Sequence, residues 1–226
     1  VIIMNIKLEL QKIKKSYQIS FRDRIFWRAL LISVLILAGA LIVNFFAGIY
    51  ALERASNSVT DLILDNIRVY DVDLAFIYGP LLMFILLVLF LLSEPRRIPF
   101  TLESISLFVL IRSGFVTLTH LGPVTDHAII ASDFISYFTS GSDLFFSGHT
   151  GLPFLLALVF WHNRFLRYIF IALSIIFGSV VLMGHLHYSI DVASAFFITY
   201  TIYRLAEVFF ADGKKLFDFG RRSLVE

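Results

Sequence analysis

Six long apolar stretches alternate with short polar ones along the chain: 26–52, 74–92, 100–119, 147–161, 168–184 and 187–210. A helix needs about 20 consecutive apolar residues to cross the hydrocarbon core of a bilayer. Most of these stretches reach or approach that length. The shortest, 147–161, predicts a helix that extends a little upstream. Pro80 predicts a kink near the start of the second span. Two of the breaks are tight and basic, Glu94-Pro95-Arg96-Arg97-Ile98-Pro99 and His162-Asn163-Arg164-Phe165-Leu166-Arg167. The break at 53–73 is acidic, and its Leu62, Ile63 and Ile67 have the spacing of a short surface helix over 59–69. The break at 120–146 carries Asp126, Asp133 and Asp143 with no Lys or Arg.

Composition agrees with a bilayer as the solvent. Of 226 residues, 58% are hydrophobic and only 16% charged, and 25 are Phe. A soluble domain is about half apolar with about a quarter charged residues, and it has nowhere to hide so many rings. The expectation is an all-α, polytopic membrane protein of six transmembrane helices. With no Cys, disulfides and thiolate metal sites are excluded. The first apolar run is too long for a signal core and has no small-residue cleavage pattern after it, so it reads as a span.

The distribution of charge sets the expected orientation. Lys7, Lys12, Lys14, Lys15, Arg22, Arg24 and Arg28 precede or open the first span. Arg96, Arg97, Arg164 and Arg167 lie in the two basic turns, and Lys214, Lys215, Arg221 and Arg222 follow the last span. Only Arg54 and Arg68 fall in the alternate loops. By the positive-inside rule both termini are cytoplasmic. The expected organisation is a basic amphipathic segment on the membrane surface at 1–25, a six-helix unit at 26–210 and a basic cytoplasmic tail at 211–226. Nothing in this pattern calls for a nucleic-acid partner.

This topology brings titratable residues to one side. His149 opens the fourth span, and His187 and Asp191 open the sixth. Arg112 lies in the outer half of the third, roughly 10 Å short of its end. All four sit toward the non-cytoplasmic face. His187 and Asp191 are four apart and share a helix face. A carboxylate bonded to one ring nitrogen leaves the other basic and aimed, as a histidine nucleophile requires. Ser147 and Gly148 lie at a helix start, where backbone amides favour an anion and Gly lets it come close. His149 there is placed to protonate a leaving oxygen. Arg112, a permanent charge with fork geometry, suits a phosphate. A charged residue inside a span is costly and defaults to a functional reading. His120, His127 and His162 read as interfacial residues. A zinc site built from His149, His185, His187 and Asp191 remains open on ligand types alone.

Ser147-Gly148-His149-Thr150 followed by His187-Tyr188-Ser189-Ile190-Asp191-Val192 resembles the paired motifs of sphingomyelin synthases, within the wider superfamily of type 2 phosphatidic acid phosphatases. Gly141-Ser142-Asp143 is similar to that family's Cys-Gly-Asp lead-in, without the Cys. Arg96-Arg97, Arg112 and Thr119-His120-Leu121-Gly122-Pro123 resemble its upstream motif. The likeness runs from about residue 96 to 204. It implies that His187 attacks phosphorus with help from Asp191, and that His149 protonates the departing alkoxide. It implies phosphate contacts from Arg112, Ser147 and Gly148, supporting roles for Asp143 and Tyr188, and no metal or other cofactor. It also implies a phospholipid substrate and a lipid alcohol, or water, as acceptor. The phosphatase branch carries cations where this chain has Val180-Val181, and a Pro where it has Phe146. Their loss favours a phosphodiester head group over a dianionic monoester. Two other readings stay open: a lipid phosphate phosphatase that only hydrolyses, and a non-catalytic lipid-binding or transport protein.

Overall fold

The computed structural model describes residues 2–124, 128 and 145–222. Its regular structure is helical throughout the described residues. In chain order the helices are α1 (Ile2–Phe21), α2 (Arg24–Arg54), α3 (Asp73–Ser93), α4 (Ile98–Leu118), α5 (Gly148–Val159), α6 (Arg164–Met183), α7 (Ser189–Phe209) and α8 (Ala211–Arg222). Local signals explain several of the ends. Asp23 caps α2 by accepting from the Ile25 amide at 2.9 Å, and Asn163 caps α6 by accepting from the Leu166 amide at 3.2 Å. Pro95 sits in the first turn of a short 3-10 helix, Pro95–Arg97, that leads into α4.

Helices α2, α3, α6 and α7, together with the continuous Pro95–Leu118 segment, are long and apolar enough to cross a membrane. The expected fourth span is different. Ser147 is the N-cap of α5, its Oγ accepting from the Thr150 amide, so the helix starts there and does not extend upstream as the sequence suggested. At 12 residues α5 is about 18 Å long, short of the roughly 30 Å hydrocarbon core. It avoids lipid by burial: Leu155, Leu156 and Ala157 are wholly enclosed by neighbouring helices. Gly151 allows this approach, because a Cβ there would come within 2.8 Å of the Phe108 ring and of Thr199 Oγ1. Gly178 of α6 faces Thr150. Thr150, in the first turn of α5, therefore stands five residues, about 8 Å, inside the end of α6 at Met183.

The core runs through Phe100 and Phe108 of α4, Leu155 and Leu156 of α5, Phe170 and Phe177 of α6 and Ala195 and Ile202 of α7. Helix α2 lies along α4 with a stripe of small residues inward, Ser33, Ala40, Ala47 and Ala51. Small side chains let two spans pack closely in lipid. Its aliphatic and aromatic residues, Leu31, Leu35, Leu41, Phe45 and Phe46 among them, face outward. At the opposite end from the start of α5, α8 folds back against the bundle. Phe217 is buried against Phe100 and Phe160, with the Arg97 guanidinium over its ring. The 211–222 segment is thus a packed helix. The expected surface helix over 59–69 is reduced to one 3-10 turn, Leu64–Asn66, because Asp61 takes the amides of Ile63 and Leu64 into a turn instead.

Candidate active site

The chain between α6 and α7 makes a tight stop and restart. Leu186 donates to Val181 O at 2.8 Å and His185 to Leu182 O at 3.0 Å, a Schellman closure of α6. His185 occupies its left-handed position, with φ 53°, a conformation in which His is enriched among non-glycine residues. His185 is thus the hinge of the turn that delivers His187 to the start of α7.

There His187 Nδ1 stands 3.4 Å from Asp191 Oδ2. The spacing is longer than a formed charge-assisted hydrogen bond. Both residues are buried, Asp191 completely and His187 to 5% exposure. The same Oδ2 accepts from the Tyr188 amide at 3.0 Å, which fixes the carboxylate at the first turn of α7. The other oxygen, Oδ1, has no hydrogen-bond partner among the described residues.

Helix α5 is pinned to this point. The Ser147 amide donates to the Asp191 carbonyl at 3.2 Å, and the Ser174 hydroxyl donates to the Thr150 carbonyl at 2.7 Å. The first bond holds the His149 segment at the end of the bundle that carries His187 and Asp191. The His149 ring stacks on Phe76 of α3, centroids 4.1 Å apart and planes 22° off parallel. Arg112 reaches the same place from α4, its Nε donating to the Phe146 carbonyl at 3.0 Å. Arg112, Gly148 and His149 line one cavity of about 320 Å³, whose remaining wall is mostly apolar and includes Leu41, Met83, Phe84, Phe108 and Phe177.

Ser147 and Tyr188 are occupied structurally. Ser147 Oγ accepts from the amide and hydroxyl of Thr150. The buried Tyr188 hydroxyl donates to Gly122 O at 2.9 Å and accepts from the Val59 amide at 3.2 Å, strapping two loops over the site. Asp143 lies outside the described residues. Among the described residues, no three His, Asp or Glu side chains converge to hold a metal ion.

Gly148 has a definite reason to be Gly. A Cβ there would stand 3.2 Å from Arg112 Nε and 3.6 Å from its Cζ. Gly148→Ala is expected to leave the protein folded and to shift the guanidinium by a few tenths of an ångström, with little change in thermal unfolding.

Sequence reasoning missed Asp61. This residue, 8% exposed, accepts from the Ser189 amide at 2.7 Å with one oxygen and from the Ile63 and Leu64 amides with the other. It thereby caps α7 two residues after His187. Burial alone would raise its carboxyl, but the Ser189, Leu64 and Ile63 donors outweigh that and hold it below its ordinary value. The folded form is then the more acidic one. Its stabilisation is fully present above the ordinary carboxylate range, about pH 4, and is lost as pH falls through the folded value. Asp61→Asn is expected to destabilise the protein by about 1.5–3 kcal/mol near neutrality. The gap to the native protein should close below about pH 4. Thermal unfolding in detergent across that range is the check. In the sequence Asp61 was one of five acids in a polar stretch, with no spacing to single it out.

Residues 141–208 match the family model described as PAP2 superfamily C-terminal. The matched segment contains α5, α6 and nearly all of α7. No curated protein and no solved structure matches the chain.

Proposed function

We propose, from that superfamily match and the geometry of the site, that this chain is a membrane lipid phosphotransferase working through His187, in the manner of sphingomyelin synthases. It would move a phospho-head-group from a phospholipid to a lipid alcohol. The observation that carries the reading is the Ser147–Asp191 backbone bond, which holds the two histidine segments at one end of the bundle. The shared cavity of Arg112 and His149 supports it.

In the proposed cycle Asp191 keeps the proton on His187 Nδ1 and leaves Nε2 as the nucleophile. Arg112 and the amides at the start of α5 hold the phosphate oxygens. Nε2 attacks phosphorus, the P–O bond to the lipid alcohol breaks, and His149 gives that oxygen its proton. The acceptor hydroxyl then loses its proton to His149 and attacks phosphorus, and the P–N bond breaks. Both histidines return to their starting forms. No step calls on a metal. The cavity's apolar wall suits hydrocarbon chains.

The site opens to the non-cytoplasmic side in this reading, with both termini cytoplasmic and α5 completing six membrane helices. The chain has no native Cys, so single cysteines report sidedness cleanly. Leu62→Cys, at an exposed position, should react with an impermeant thiol reagent from outside, and Lys215→Cys only after permeabilisation. The reverse pattern would overturn the orientation.

The activity is tested by head-group release from a panel of defined phospholipids and lipid phosphates in detergent with chelator present. Ceramide or diacylglycerol is added in parallel. A new acceptor-dependent lipid product is the expected result. Release independent of any acceptor would mark a hydrolase instead. No turnover across the panel, with lipid still bound, would favour the binding or transport reading.

A further inference from the structure

The first span contains one strongly polar interior residue, Asn44, and the cycle above makes no use of it. Its surroundings on α2 are aliphatic and aromatic. A polar side chain at this depth is costly unless something satisfies it.

Asn44 lies on the wall of the same cavity as Arg112 and His149. Its hydrogen-bond contact among the described residues is with Ser113, next in sequence to Arg112, at 3.3 Å. Ser113 Oγ also stands 2.8 Å from the Val109 carbonyl. The count of protons then decides the matter. If the Ser113 hydroxyl donates to the amide oxygen, both Asn44 N–H groups remain. If the hydroxyl turns to Val109, the amide can turn and give one N–H to Ser113. In either orientation at least one N–H has no protein acceptor among the described residues. Asn44 lines the cavity, so a molecule bound there can supply the acceptor.

The cavity restricts what that molecule offers. Arg112 is the cation on its wall, so a phosphate belongs there, and Leu41, Met83 and Phe84 near Asn44 suit hydrocarbon. The acceptor that meets Asn44 lies on the hydrocarbon side of the phosphate and is uncharged. An acyl carbonyl is a strong neutral acceptor at that point in a phospholipid, whereas an ether oxygen is a weak one. We propose that Asn44 is a specificity-determining residue whose carboxamide donates to an acyl carbonyl of the bound phospholipid, so that the site prefers acyl-linked over alkyl-linked chains. The proposal rests on the lipid phosphotransfer reading above.

The test compares diacyl and dialkyl forms of one phospholipid with the same head group and chain length. KM and kcat are measured for the native protein, Asn44→Leu and Ser113→Ala. Thermal stabilisation of the same proteins by each lipid is measured without reference to turnover. The native protein should have a KM about three- to tenfold lower for the diacyl form, the size of one neutral hydrogen bond. Asn44→Leu should erase that preference by raising the diacyl KM, with kcat little changed. Ser113→Ala breaks the link between α2 and α4 but keeps the amide, so it should retain the preference. The stabilisation data should show the same three patterns.

Equal KM and equal stabilisation for both lipids in the native protein would overturn the proposal. So would a preference that survives in Asn44→Leu, or one lost equally in Ser113→Ala, which is what a purely structural tie between the helices predicts. Absence of turnover with the diacyl preference present in binding would count against phosphotransfer and leave the assignment of Asn44 standing.

Discussion

His187→Ala is expected to lower lipid turnover by about 10⁴-fold or more, the scale seen when a covalent nucleophile is deleted. The side chain is nearly buried, and its contact with Asp191 sits at the first turn of α7. Asp191 Oδ2 meets both His187 Nδ1 and the Tyr188 amide. Removing the ring leaves Arg112 and the start of α5 intact, so substrate should still bind. The expected signature is a collapse of kcat with KM within a few-fold of native. Initial rates with the preferred phospholipid, beside thermal unfolding to verify the fold, would measure it. A variant that retains a tenth of the native rate would exclude His187 as nucleophile.

His149→Ala carries the second large effect, and it depends on the leaving group. If His149 protonates the departing alkoxide, its loss should cost about 10²–10⁴-fold with a natural lipid, whose alkoxide is a poor leaving group. With a nitrophenyl phosphodiester, which departs without a proton, the same variant should lose only about tenfold. Phe76 supplies the contrast. It holds the His149 ring in a stack at 4.1 Å but has no proton to give. Phe76→Ala should therefore slow both substrates alike. Equal losses on both substrates for His149→Ala would reduce this histidine to a packing role.

Much of this was legible in the sequence because membrane helices announce themselves by length and apolarity. The first, second, third, fifth and sixth expected spans correspond to helices of crossing length. The segment carrying both histidine motifs falls within the matched family segment. The fourth span was the hardest to bound, and its expected upstream extension is not there. Its hydrophobicity reflects burial in protein, and hydrophobicity does not distinguish a helix facing lipid from one enclosed by its neighbours. Ser147, an N-cap signal in plain view, marked the true start. Residues that act through backbone were harder to see. Asp61 and Tyr188 hold amides and carbonyls across long stretches of chain, from Asp61 to Ser189 and from Tyr188 to Val59 and Gly122. Such bonds leave no periodicity and no motif. Phe146, whose carbonyl receives Arg112, contributes no side-chain chemistry that a sequence reading could weigh.

The most direct test of the account is to trap the covalent intermediate. The purified protein would be mixed with a phospholipid labelled at phosphorus, quenched within the first turnover under alkaline conditions, and its peptides mapped. Alkali-stable, acid-labile label is expected on the peptide containing His187, absent from His187→Ala and retained in His149→Ala whenever the leaving group is activated. Turnover with no label on any histidine, or with label on a residue other than His187, would contradict it.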